Sequence, residues 1–110
     1  MTQSQSPVTL INVVAVKPGA TQSAVIDSLR HNTETVITTL KGWISTTLIA
    51  SAPSPGESGG DRVVIHSQWA SADDIEAMRT DPRMQAYFPK ISELASFDSM
   101  IGSVVLARQA

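Results

Sequence analysis

The order of strand-like and helix-like segments constrains this fold more than any other feature of the chain. Alternating apolar residues predict strands at 8–17, 43–52, 61–69 and 99–108. Apolar residues at helical spacing predict helices at 22–41, 71–80 and 82–96, and Pro89 is expected to break or kink the last of these at Phe88. The resulting order, β-α-β-β-α-β, predicts an α+β ferredoxin-like domain with a four-stranded antiparallel sheet and helices on one face.

The third strand segment ends on a tryptophan and leads directly into a helix. Alternation places Ile65 and Trp69 on one face of this strand and His66 on the other. Ser71 is predicted to cap the following helix, with Asp74 completing a capping box. A large aromatic side chain in this position can wall a pocket or can be ordinary core.

The composition favours a single domain that has neither disulfide bonds nor a metal site. The 110 residues suit a single domain at 8–110, preceded by a disordered tail at 1–7. The absence of cysteine excludes disulfides, a thiolate metal site and a cysteine nucleophile, and it favours a cytoplasmic location. The two histidines, His31 and His66, fall on different elements, so no metal site is expected.

Charge and hydropathy argue against two classes of partner. The net charge is −2 and the eight basic residues are scattered, so a nucleic-acid-binding surface is not expected. No apolar run approaches the ~18 residues that a membrane span requires, so no membrane partner is expected.

The two terminal strands bear on assembly, and one loop segment is expected at the surface. The first and last strands are apolar on both faces, and helices can cover only one face of the sheet. The simplest cover for the other face is a second copy, so a homodimer whose sheets close into an α/β barrel is predicted. Residues 52–60, rich in proline, serine and glycine, predict an exposed and mobile loop.

Four short motifs carry a resemblance that spans residues 8–107. They are a strand with Asn12 that runs into a Pro-Gly turn, the Gly-Trp-Ile-Ser sequence at 42–45, the tryptophan-ended strand at 63–69 followed by Ser71 and Ala72, and Asp-Pro-Arg at 81–83. In this order and spacing, the chain resembles the antibiotic biosynthesis monooxygenase (ABM) family of dimeric α/β-barrel domains.

The resemblance implies a monooxygenase that needs no cofactor, neither metal nor flavin. It implies a small aromatic substrate, polyketide- or quinol-like, bound between the sheet and the helices, with Asn12 and Trp69 as catalytic residues. Some members carry an asparagine four positions before the tryptophan, where this chain has Ile65. Haem-degrading relatives use a histidine whose position falls near Arg79 here, so haem ligation is not supported.

Five residues are predicted to bind the substrate. They are Ile65, Met78, Arg79, Arg83 and Tyr87. The two arginines and the tyrosine could meet an anionic or phenolic substrate at the pocket mouth, or could serve surface pairing and packing. The alternative to an enzyme is a non-catalytic dimeric protein with a small-ligand-binding or stress-related role, which Ile65 favours.

Overall fold

The computed structural model describes residues 7–110, so the predicted tail at 1–7 lies, apart from Pro7, outside the described residues. The strands are β1 (Val8–Val16), β2 (Trp43–Ala50), β3 (Arg62–Trp69) and β4 (Ala95–Gly102). The helices are α1 (Gln22–Thr35), α2 (Ala72–Thr80) and α3 (Pro82–Ser92), with a 3-10 turn at Ile37–Thr39. The strands form one antiparallel sheet in the order β2-β3-β1-β4. The predicted ferredoxin-like α+β fold is confirmed.

The core lies between one face of the sheet and the helices. Val14 and Val63, neighbours on β1 and β3, are fully buried against Val25 and Leu29 of α1 and Ile91 of α3. A second cluster surrounds Trp69; its other buried members are Leu10, Ile75, Met78 and Met84. Helical spacing in the sequence therefore identified the buried faces of the helices correctly.

Local hydrogen bonds set the helix starts. The hydroxyl of Thr21 accepts from the backbone N–H of Ala24 at 3.1 Å, and that of Ser71 accepts from the N–H of Asp74 at 3.2 Å, so the predicted cap at Ser71 is confirmed. Gly42 precedes β2 with a φ of +85°, and a Cβ there would lie 2.3 Å from the Asp74 side chain. Only glycine fits this turn without strain.

The first helix is shorter than predicted. It ends at Thr35 instead of residue 41, and Val36 leads into the 3-10 turn. Residues 35–39 are all β-branched, which lowers helix propensity. The hydroxyls of Thr35 and Thr39 donate to the backbone carbonyls of His31 and Val36, at 2.7 and 2.6 Å. Such bonds offer the backbone an alternative to continued helix.

The predicted break at Phe88 is wrong. Helix α3 continues through Pro89 and ends at Ser92, four residues before the predicted end. Pro89 lies on the exposed side of the helix, while Met84 and Ile91 before and after it are buried. Burial of the inner face offsets the one backbone hydrogen bond that a proline removes.

The last strand lies earlier than predicted. It occupies residues 95–102 instead of 99–108, because it pairs along β1 with Ala95 opposite Val16 and Gly102 opposite Thr9. Beyond it, Val104, Val105 and Leu106 are 56%, 95% and 75% exposed. Their apolar alternation is typical of a strand, but none of them pairs with a strand of the described sheet.

A register shift at the start of β2 changes the face of the sheet on which its first residues lie. The pairing with β3 is irregular between Trp43 and Ser45, so simple alternation along β2 fails at its start. Trp43 therefore packs with the cluster around Trp69, whereas Ile44 is 45% exposed. Alternation had predicted Trp43 on the opposite face from Thr46, but its indole N–H donates to the Thr46 hydroxyl at 2.9 Å.

Within residues 7–110, the helices all lie on one face of the sheet, and the second face carries none of them. Val13, Ile49 and Met100 lie there, 37%, 52% and 58% exposed, and His66 is half-buried among them. Within residues 7–110, none of the helices combines the length and the apolar character needed to cross a bilayer.

Candidate functional site

A cavity of about 390 Å³ lies between the sheet and the helices. All four strands supply one side of it, and the three helices with the 3-10 turn supply the other. Most of its walls are apolar, from leucine, isoleucine, methionine and aromatic side chains, with a few amide and hydroxyl groups among them. This size and lining are typical of sites for small organic ligands.

The cavity brings together most of the residues singled out from the sequence. Those that border it are Asn12, Ile65, Trp69, Met78, Arg79 and Tyr87. Arg83 is not among its lining residues. Its Nε lies 3.3 Å from an oxygen of Asp81, and its hydrogen bonds hold the pKa of that carboxyl below the usual value. The structure therefore places Arg83 in surface pairing, away from the cavity.

Trp69 forms the floor as a packed residue. Only 1% of its surface is exposed, although it borders the cavity. Its indole N–H donates to the hydroxyl of Ser67 at 3.2 Å, and that hydroxyl donates to the carbonyl of Leu10 at 3.4 Å. Since the N–H already has a partner, Trp69 offers a ligand an apolar ring surface and no free donor.

Asn12 lies at the centre of the sheet side of the cavity. Its position in β1 places it between Ile65 of β3 and Ser99 of β4. The hydroxyl of Ser99 donates to the amide oxygen of Asn12. This bond leaves the amide N–H groups of Asn12 available to an oxygen of a bound ligand.

Arg79 and Tyr87 approach the cavity from the helices. The Arg79 guanidinium lies 3.3 Å from Glu76 and is 37% exposed, so it stands at the solvent side. The phenol of Tyr87 shares a 2.9 Å hydrogen bond with the Ser28 hydroxyl. Burial raises the pKa of Tyr87 despite this bond, so its phenol stays protonated at neutral pH and does not serve as a base.

Sequence reasoning missed several polar residues of the site, among them Asn32 and Ser99. Asn32 is 8% exposed and borders the cavity, and its amide nitrogen donates to the sulfur of Met84 at 3.4 Å. A signal for it was present, because it lies three residues after Leu29 on the apolar stripe of α1. Ser99 carried no comparable signal, since its role depends on pairing with β1.

The site has no obvious proton acceptor. Among the described residues that border the cavity there is no aspartate, glutamate or histidine. Within residues 7–110, no group of three or more such side chains could hold a metal ion. What the cavity offers is apolar enclosure, amide donors and acceptors, and one cation at its edge. A lining of this kind can enclose and orient a small organic molecule, and it supplies no carboxylate or imidazole to accept a proton.

Comparison with known proteins bears on the chemistry. The model of the family described as antibiotic biosynthesis monooxygenase matches residues 7–90. The chain is also 38% identical over 80 residues to the tetracenomycin-F1 monooxygenase of Streptomyces glaucescens. That match covers 73% of this chain and 65% of the relative, so the chain spans just under two thirds of the relative's length.

Solved structures share the fold at low sequence identity. One is SnoaB of Streptomyces nogalater, a cofactor-independent oxygenase, at 15% identity and a TM-score of 0.73, with 94% of this chain and 95% of that chain covered. Another is a dimeric protein of unknown function with a ferredoxin-like fold from Bacteroides fragilis. It shows 16% identity and a TM-score of 0.69, and 93% of this chain and 100% of that chain are covered.

Proposed function

The chain belongs to the antibiotic biosynthesis monooxygenase family, and on this premise we propose that it is a cofactor-independent monooxygenase of a small aromatic substrate. The observation that carries the proposal is the apolar cavity with Trp69 as its floor and the Asn12 amide on its sheet side. The family resemblance implies the polyketide-like or quinol-like class, and the largely apolar lining with a few polar groups supports it.

The reaction needs a substrate that can supply its own electrons. An activated methylene flanked by aromatic rings and a ketone loses a proton to give a delocalised anion. The anion donates electrons to O₂ and forms a carbon–oxygen bond, giving a hydroperoxide after proton uptake. Loss of water from the hydroperoxide leaves a ketone, so one oxygen atom enters the substrate and the other leaves as water.

Within this reaction the protein contributes enclosure and orientation. The N–H groups of Asn12 hold the substrate oxygen on which negative charge develops, since Ser99 already occupies the amide oxygen. The guanidinium of Arg79 adds positive charge at the mouth of the cavity. Apolar walls exclude water and hold the ring, which favours reaction of the anion with oxygen. Met78, Ile65 and Tyr87 complete the binding surface.

The residues that line the cavity also restrict how acidic the substrate must be. Because no carboxylate or imidazole of the described chain borders the cavity, the protein has no strong base to remove a weakly acidic proton. The proposed substrate therefore has an acidic C–H or O–H group of its own, as anthrones and hydroquinones do. The same lining favours one alternative, a non-catalytic protein that binds such a ligand without consuming oxygen.

We also propose that the working unit is a homodimer. Val13, Ile49 and Met100 leave apolar surface on the sheet face without helices, and a second copy would cover it. In this arrangement the two sheets face each other, and each cavity lies on the outer, helical side of its own sheet.

The decisive test is oxygen uptake with a panel of anthrones and hydroquinones. We expect turnover by the wild-type chain and a loss of at least tenfold in kcat/KM for Asn12→Leu, because a charge-stabilising donor is typically worth this much or more. Gln68→Leu is the matched control, since it also removes a strand amide but on the opposite face of the sheet. Tight ligand binding without any oxygen uptake would refute the monooxygenase proposal. It would favour the alternative, a non-catalytic ligand-binding protein.

A further inference from the structure

The amide of Asn32 is a buried polar group placed among apolar side chains. It lies on the inner face of α1, with Leu29 one turn before it, and 8% of its surface is exposed. Within residues 7–110 its one side-chain hydrogen bond is the donation from Nδ2 to the sulfur of Met84 at 3.4 Å. Its side-chain oxygen, Oδ1, accepts no hydrogen bond from the described chain, whereas its backbone carbonyl accepts one from the N–H of Val36 at 2.9 Å.

The side-chain carbonyl oxygen of Asn32 faces open space. Among the described residues, every fully enclosed side-chain nitrogen or oxygen has a hydrogen-bond partner. The Asn32 oxygen has no such partner and is therefore not fully enclosed; the open space that Asn32 borders is the cavity. An acceptor without a protein partner thus lies at the helix side of the site.

The orientation of this amide follows from chemistry. A thioether sulfur accepts hydrogen bonds but cannot donate them. The nitrogen of Asn32 must therefore turn toward Met84, and the oxygen must turn away from it. Rotation of the amide by half a turn would place two acceptors against each other, so the contact with Met84 keeps the acceptor oxygen turned away from the sulfur.

We propose that Asn32 recognises a phenolic hydroxyl of the substrate, which donates a hydrogen bond to its carbonyl oxygen. The inference rests on the proposed function and narrows its substrate class. Asn12 presents N–H donors from the sheet side because its oxygen is held by Ser99. The cavity therefore selects an aromatic ligand that carries an acceptor, a ketone or oxyanion, toward β1 and a hydroxyl toward α1.

A purely structural role for Asn32 is a poor alternative. Hydrogen bonds to a thioether are weak, and a buried amide kept for one of them would sacrifice packing. Leucine would suit the apolar stripe of α1 better. Asn32→Leu should therefore fold at least as well as the parent, which makes it a clean probe of recognition.

The test compares two ligands that differ by one hydroxyl, 1-tetralone and 6-hydroxy-1-tetralone, by calorimetric titration. The wild-type chain should bind the hydroxylated ketone roughly fivefold more tightly, as one neutral hydrogen bond allows. Asn32→Leu should lose this preference and still bind 1-tetralone. Asn32→Asp, which keeps an acceptor oxygen, should retain the preference. Should the leucine variant not fold, Asn32→Ala removes the same oxygen without adding bulk and should also lose the preference.

Asn12→Leu is the matched control at the other side of the cavity. It should weaken the binding of both ketones by a similar factor and leave the ratio of their affinities unchanged, since both carry the carbonyl that Asn12 binds. A preference that persists in Asn32→Leu, or one that disappears in Asn32→Asp, would overturn the inference and leave the proposed function standing. Failure of the wild-type chain to bind either ketone would count against the proposed function itself.

Discussion

Trp69 serves both the core and the cavity. Its ring packs with Leu10, Ile75 and Met84, and its N–H is bonded to Ser67. A side chain that only lined an open pocket would have fewer partners than this. The contribution of Trp69 to stability should therefore be that of a core residue, even though it also forms the floor of the site.

Trp69→Ala should lower the free energy of unfolding by ~3–5 kcal/mol, as deletion of a packed aromatic side chain does. Trp69→Phe should cost less, because it keeps an aromatic ring and loses only part of the indole volume together with the bond to Ser67. The measurement is the denaturant midpoint and slope for both variants. A loss of only ~1–2 kcal/mol for the alanine variant would show that the ring is loosely packed and faces the cavity.

At the scale of the element, the loop between β2 and β3 separates into an anchored base and a free tip. The Gln22 side chain donates to the carbonyls of Ser51 and Arg62 at 3.0 and 2.8 Å, which ties the two strand ends to α1. Gly60 is also constrained, since a Cβ there would lie 1.9 Å from the Ser51 carbonyl. Residues 52–59 are exposed.

Replacement of residues 53–59 by Asn-Gly, with Gly60 kept, should change the free energy of unfolding by less than about 1 kcal/mol, because the removed segment buries nothing. Thermal and denaturant unfolding of the shortened chain give the answer. Gln22→Ala is the contrasting variant, because it removes the anchor and should destabilise the protein. A large loss on shortening would mean that the tip packs onto the rest of the molecule.

At the scale of the whole molecule, the open sheet face decides the assembly. The wild-type chain should have the mass of a dimer by light scattering at micromolar concentration. Ile49→Asp should shift it to a monomer, since the charge would be buried in the contact between the two sheets. Thr38→Asp, an equally exposed change on the helical side, should leave the dimer intact. A monomeric wild-type chain would contradict the proposed barrel.

Local pattern in the sequence was sufficient for the element order, the cap at Ser71 and the face on which most strand residues lie. Alternation put Ile65 and Trp69 on one face of β3, and both border the cavity, as does Asn12, which the family resemblance singled out. These features depend on neighbours within a few residues, where period and capping chemistry act directly. Pattern failed at the start of β2, where a register irregularity interrupts the alternation and turns Trp43 inward.

Only the tertiary structure decided the features that depend on distant partners. The place of β4 follows from its register against β1, and its apolar continuation at 104–106 looks the same in the sequence. The bond from Ser99 to Asn12 and the bond from Asn32 to Met84 join residues 87 and 52 positions apart. Orientation of an amide depends on which group lies beside it in space, and the sequence pattern carries no record of that neighbour.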